Sequence, residues 1–202
     1  MKQKNGFSIC PFCSPSAIYS RLVCQWDGVY VVSDAHPITF GHLLVVSKAH
    51  YLSFGAMDIM VLSRLRQKIV EISKILTKIR PKVILFEHGN QTENKSGKPS
   101  IDHAHFHLIP IVDLQLHLPA SKRNATFLDL PSYITECSYY FYWDVVDDIA
   151  YWGNATEVES QFIRKIVASE SGLVDWNWRN DCSINNCAKT QSRKIKSLLK
   201  RN

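Results

Sequence analysis

The densest chemistry in this chain lies in the stretch Ser100-Ile101-Asp102-His103-Ala104-His105-Phe106-His107-Leu108-Ile109-Pro110, where three histidines alternate with apolar residues. In a β-strand, side chains two apart share a face. Such a strand would bury Ala104, Phe106 and Leu108 and present three imidazoles on its other side. The Ile109-Pro110 ending, followed by Ile111-Val112, favours extended structure over a helix. Three readings are open for that row: a polar solvent-facing edge, a catalytic metal site of the His-x-His kind, or one nucleophilic ring whose neighbours hold developing charge.

Two other segments carry chemistry. Cys10-Pro11-Phe12-Cys13 places two thiolates for one tetrahedral metal. A redox role for that pair would need a thioredoxin-like βαβ context, which the flanking sequence lacks. The six cysteines, at 10, 13, 24, 137, 182 and 187, read as thiols or ligands rather than disulfides, and Cys182 and Cys187 take no role. The polar segment 88–100 contains Gly89 and Gly97 and runs directly into the histidines. Its amides, Lys98 and Ser100 suit a phosphate, against the plainer reading of a solvated loop.

These groups need a frame. Leu22-Val23-Cys24-Gln25-Trp26 and Val29-Tyr30-Val31-Val32 read as a hairpin joined by Asp27-Gly28, and 34–41 as a loop punctuated by Pro37 and Gly41. The run 42–47 is a nearly all-apolar central strand. After Ser53 and Asp58, apolar positions Leu62, Leu65, Ile69, Ile72, Leu76 and Ile79 step by three and four, one buried helical stripe that Pro81 stops. Strands follow at 83–87 and 103–109.

Beyond residue 112 the character changes. Residues 121–124 look like a linker, and 139–144 with 149–152 form an aromatic hairpin. A short amphipathic helix at 159–168 has Gly172 in the C-cap role. Trp176-Asn177-Trp178-Arg179 comes next, and 189–202 is a basic helix or tail. The expected organisation is an α+β core over residues 1–113 and an aromatic-rich C-terminal extension over 114–202.

Composition bounds the rest. With 202 residues, 46% hydrophobic and 21% charged, the chain has the make-up of an ordinary globular protein. No apolar run approaches the roughly 18 residues of a membrane span, and the basic start leads into no apolar signal core, so a cytoplasmic protein is expected. A formal net charge of +6 suits anionic ligands such as nucleotides.

Taken together, His103-Ala104-His105-Phe106-His107-Leu108, Cys10-Pro11-Phe12-Cys13, Gly41-His42-Leu43-Leu44-Val45-Val46 with Lys48-Ala49-His50, and Phe86-Glu87-His88-Gly89 resemble the histidine triad (HIT) family of nucleotide hydrolases and nucleotidyl transferases. The resemblance implies an antiparallel sheet of about five strands with one long helix packed on it, and a homodimer. It assigns His105 as the nucleophile toward the α-phosphorus, its other nitrogen held as N–H by a backbone carbonyl. His107 and His42 would hold phosphate oxygens and leaving group, Ser100 would donate to the phosphate beside Lys98, and Asp34 would bind the ribose hydroxyls. In branches that keep Cys-x-x-Cys, the resemblance implies structural zinc on Cys10, Cys13, His50 and His103, a closed four-ligand site. Residues 160–165 and 176–179 resemble the extension of a HIT subset. His36, His88 and His117 take no role.

Because the third triad position is His107 rather than glutamine, a hydrolase acting on a dinucleoside polyphosphate or nucleoside phosphoramidate is expected. Pro99, where many relatives have glycine or glutamine, bears on leaving-group contacts. The alternatives are a nucleotidyltransferase or phosphorylase with an acceptor other than water, and a non-enzymatic nucleotide- or nucleic-acid-binding module using the aromatic extension and basic tail.

Overall fold

The structure, a computed structural model, describes residues 10–93, 101–114, 118, 122–159, 161–173 and 185–200. The frame of the site is one antiparallel sheet. Strands β1 (Leu22–Trp26), β2 (Val29–Ser33), β3 (Leu43–Ser47), β4 (Lys82–Gly89) and β5 (His105–Ile111) come from the first half. Strands β6 (Lys122–Arg123), β7 (Tyr139–Asp144) and β8 (Ile149–Asn154) come from the second, and the spatial order is β1-β2-β3-β5-β4-β7-β8-β6. The expected count of about five is therefore corrected to eight. The first five are the strands of the N-terminal half, and the aromatic hairpin β7–β8 lays its first strand along the outer side of β4, from Ile84 opposite Asp144 to Gly89 opposite Tyr139.

Strand alternation sends side chains to two covered faces. One face (Val31, Leu43, Val45, Leu85, Phe106, Leu108, Phe141 and Trp143) packs on helix α2 (Ile59–Leu76). The apolar stripe of α2 is buried as its spacing requires, and Asp58 caps it, accepting from the Met60 and Val61 amides at 2.8 and 3.3 Å. The helix ends at Leu76, a turn short of Pro81. A second long helix, α5 (Asn185–Lys200), packs against β1, β2 and α2 and buries Ile195 in the same core, so the expectation of one long helix is also corrected.

The opposite face carries His105 and His107, with Ile84, Phe86, Ile109, Tyr140 and Tyr142 farther along the sheet, where helix α4 (Phe162–Glu170) covers it with Ile163, Val167 and Ala168. Helix α4 ends as expected at Gly172, φ +75°: the Gly172 and Leu173 amides donate to Ser169 O and Ala168 O at 3.0 and 2.9 Å, a paired C-terminal cap. Two shorter helices, α1 (Pro15–Tyr19) and α3 (Leu130–Glu136), complete the fold. Among the described residues, no helix is long and apolar enough to cross a membrane.

One buried contact ties the halves together. Glu87 on β4 is 1% exposed; its carboxyl accepts from the Phe54 amide at 2.8 Å and from the Tyr139 hydroxyl on β7. Gly89 is needed here, because a Cβ on it would lie 2.6 Å from the Tyr139 ring. Burial pushes the Glu87 carboxyl up to about 8, although both hydrogen bonds act the other way. An unfolded chain releases this proton near 4.5, whereas the folded protein keeps it to about 8. The folded state thus binds more protons across that interval, and its stability falls as pH rises through it. Urea denaturation across pH 5 to 8.5 should show wild type losing stability relative to Glu87→Gln. A difference that stays constant with pH would contradict the assignment.

Candidate functional site

Strand β5 lies between β3 and β4, with Val46 opposite His105, Leu44 opposite His107, and Phe86 opposite His107 across the other side. The strand begins at His105, so the picture of three imidazoles on one strand is corrected: His103 precedes it. The chain there is pinned by two bonds of Ala104, whose amide donates to Tyr51 O at 2.6 Å and whose carbonyl accepts from the Ser47 amide at 3.1 Å. His103 turns its ring inward, 1% exposed, while His105 and His107 share the sheet face.

His103 meets Cys10, Cys13 and His50. Its Nδ1 is 3.4 Å from Cys10 Sγ, 3.6 Å from Cys13 Sγ and 3.2 Å from His50 Nδ1, and Cys13 Sγ is 3.3 Å from His50 Nδ1. Four ligands bonded tetrahedrally at zinc distances stand about 3.3–3.8 Å apart. All four donor atoms here lie within 4.8 Å of one another, so the set could hold one metal ion. The ring's other nitrogen agrees: Nε2 is 2.8 Å from Ser47 O, which only accepts, so Nε2 carries the proton and Nδ1 offers its lone pair to the cluster.

Asp34, His42 and His107 form a second triplet of possible ligands, and the same reasoning gives the opposite result. The Ile38 amide donates to His42 Nδ1 at 3.1 Å, so the neutral ring carries its proton on Nε2. That N–H lies 3.0 Å from His107 Nδ1 and 3.4 Å from Asp34 Oδ2, which leaves the pocket-lining His107 ring with its own proton on Nε2. The triplet is a hydrogen-bond chain rather than a metal site. Burial pushes His42 down to about 3 against the pull of Asp34, and burial with His42, His105 and Arg164 holds His107 well below the usual histidine range.

His105 Nδ1 is 2.6 Å from His103 O. A carbonyl only accepts, so Nδ1 donates and Nε2 keeps its lone pair. Burial lowers this ring's proton affinity, partly offset by that hydrogen bond. Phe12 stands edge-on to His105 and Phe86 stacks on His107, with centroids 5.2 and 4.6 Å apart. Both imidazoles open on a pocket of about 280 Å³, whose apolar wall includes Phe12, Leu44, Ile101 and Ile163. Asp34, Arg21 and Arg164 line it as well.

Sequence reasoning missed two residues of the extension. Arg164, on the first turn of α4, is 3% exposed; it reaches Asp34 Oδ2 at 3.3 Å and donates to His36 O at 2.6 Å. Gln191, on α5, accepts from the Gly41 amide at 3.3 Å and donates to His42 O at 2.9 Å, clamping the backbone that carries His42. An arginine on the buried side of an amphipathic helix was a usable signal for the first; a glutamine in a basic helix gave none for the second. Asp34 Oδ1 accepts from the His36 amide at 2.6 Å. Burial alone would raise the Asp34 carboxyl, but the His42 N–H, Arg164, the His36 amide and Arg21 together hold it below its usual value. The predicted residues Lys98 and Ser100, like the Trp176-Asn177-Trp178-Arg179 segment, lie outside the described residues.

Residues 16–113 match the HIT domain family. The match supports the HIT family for this part of the chain and points to a nucleotide-binding hydrolase or transferase. It spans β1 to β5 and stops short of Cys10, Cys13 and the extension. Similar solved structures include a Hit-like protein involved in cell-cycle regulation from Bartonella henselae, at 22% identity over 46% of this chain and 70% of that one, TM-score 0.37. Another is a hypothetical histidine triad nucleotide-binding protein from Sulfolobus tokodaii, at 23% identity over 63% and 90%, TM-score 0.39. A uridylyltransferase aligns over 100% of this chain and 94% of that one at 10% identity, TM-score 0.46. These are distant likenesses. No curated protein matches the chain.

If the four-residue cluster holds a metal, Cys13→Ser should lose it. Elemental analysis of the purified variant is expected to show less than stoichiometric metal, with thermal unfolding lowered by about 5 °C or more. Full metal content in Cys13→Ser would remove the cluster from consideration.

Proposed function

We propose that this protein is a HIT-type nucleotide hydrolase that cleaves at the α-phosphorus of a dinucleoside polyphosphate or nucleoside phosphoramidate. The observation that carries the reading is the His105–His103 hydrogen bond, which leaves an unprotonated Nε2 beside the pocket. In this reading His105 Nε2 attacks the α-phosphorus, and the leaving group departs with the electron pair of the bond that breaks. Water then attacks the nucleotidyl-imidazole, and the phosphorus–nitrogen pair returns to Nε2. The chain from His42 to His107 supplies a directional N–H donor for phosphate oxygen or leaving group. Asp34 would accept from the ribose hydroxyls with lone pairs left by His36 and Arg164, and Ser100 and Lys98 would bind phosphate.

The metal we propose is zinc, held by Cys10, Cys13, His50 and His103. Two thiolates and two imidazoles are its preferred donors, and four protein ligands leave no open position, so its contribution would be structural. We further propose a homodimer; since β4 already pairs with β7 in the same chain, a second copy would dock elsewhere than along β4.

His105→Asn is expected to lower turnover by at least about a thousandfold while nucleotide binding is largely kept. Mass spectrometry after exposure to a nucleotide panel should find the nucleotidyl adduct on His105 in the wild type and none in the variant. Normal turnover by His105→Asn would overturn the nucleophile. Including phosphate and sugar phosphates as acceptors tests the alternative: preferential capture by either one over water would make the protein a transferase or phosphorylase.

A further inference from the structure

The pair that is to face the phosphate, His42 and His107, sits in an unusual electrical setting. A carboxylate within 3.4 Å of one ring and 3.7 Å of the other would ordinarily draw a proton onto them, giving an imidazolium beside Asp34. A charged pair would lose the one-way order set by the Ile38 amide, because both nitrogens of an imidazolium are donors. What stands against this is a cation from another part of the chain. Arg164 enters from α4, 3% exposed, with Nη1 3.3 Å from the same Asp34 Oδ2 that His42 approaches and Nη2 fixed on His36 O at 2.6 Å.

We propose that Arg164 is a positioning residue: its guanidinium, delivered by the C-terminal extension, balances Asp34 so that His42 and His107 remain a neutral, directional N–H chain toward the phosphate. The groups around the pair are Asp34 and His36 from the β2–β3 loop, His105 from β5, Glu87 and His88 from β4 and Arg164 from α4, with Arg21 acting on Asp34 from the segment before β1. Of these, Arg164 and Asp34 are the two fixed opposite charges in direct mutual contact. Burial is the largest influence on both rings, and Arg164 acts in the same direction on each. The helix is held for this purpose by Ile163, Val167 and Ala168, packed on the sheet beside the pocket.

The catalytic consequence rests on the hydrolase reading above; the protonation of the two rings does not, and it is measured without substrate. Nitrogen-15 spectra of the imidazoles in the full-length protein would be followed against pH. In Arg164→Gln, His42 and His107 should take up a proton at a pH at least about one unit higher than in wild type, a tenfold change in proton affinity. Arg164→Lys, which keeps the charge, should return protonation of both rings toward the wild-type pH. Unchanged rings in Arg164→Gln, or Arg164→Lys behaving like it, would overturn the proposal. If Arg164→Gln does not fold, the double variant Asp34→Asn with Arg164→Gln removes both charges: ring protonation at the wild-type pH supports the charge balance, and protonation shifted well away from it refutes it. In turnover assays the acid limb of the pH profile should move upward in Arg164→Gln, a shift that lost stability alone does not produce.

Discussion

His103 is held at three points, and each serves a different part of the molecule. Its Nδ1 belongs to the cysteine-histidine cluster, its Nε2–H donates to Ser47 O at the end of β3, and its carbonyl accepts from His105 Nδ1. A hydrogen bond to a carbonyl fixes a tautomer without ambiguity, and two such bonds here settle two rings. Whatever stiffens the cluster therefore stiffens the acceptor that orients His105. This is why a residue outside the strand matters to the residue that begins it.

The second half of the chain is built into that arrangement rather than appended to it. Tyr139 from β7 completes the hydrogen bonding of buried Glu87, Arg164 from α4 meets Asp34, and Gln191 from α5 grips the backbone around His42. Three separate elements thus reach three different groups on or beside the sheet. The price is burial of ionisable groups: Glu87, Asp34 and Arg164 are each at most 6% exposed. Each has specific partners: Asp34 and Arg164 face each other as opposite charges, and Glu87, which keeps its proton to about 8, is hydrogen-bonded to the Phe54 amide and the Tyr139 hydroxyl.

Much of this was legible in the sequence, for physical reasons. The Asp27-Gly28 hairpin signal marked β1 and β2, a nearly all-apolar run marked β3 because both its faces are covered, and period-3.6 spacing marked α2 because it buries one stripe. Residues Cys10, Cys13, His50 and His103 are far apart in the chain yet converge; residue type and spacing had marked only Cys10 and Cys13 as a pair, and the HIT resemblance had implied the other two. What was not legible depends on tertiary pairing. Nothing in Tyr139-Tyr140-Phe141-Tyr142-Trp143-Asp144 says which strand it joins, so the sheet was expected to stop at about five strands. A strand pattern also cannot tell where the ladder starts, which is why His103 was read into β5. Arg164 and Gln191 act through single bonds across more than a hundred residues, a relation that local pattern does not encode.

The register of β7 on β4 has one more consequence. Strand β4 is the longest of the sheet at eight residues, and β7 pairs with six of them from Ile84 to Gly89. Left bare, that rim would be a row of unsatisfied amides and carbonyls flanked by Ile84 and Phe86, the kind of template on which chains stack and precipitate. The aromatic hairpin acts as a molecular selvedge, finishing the weave where it would otherwise fray into self-assembly.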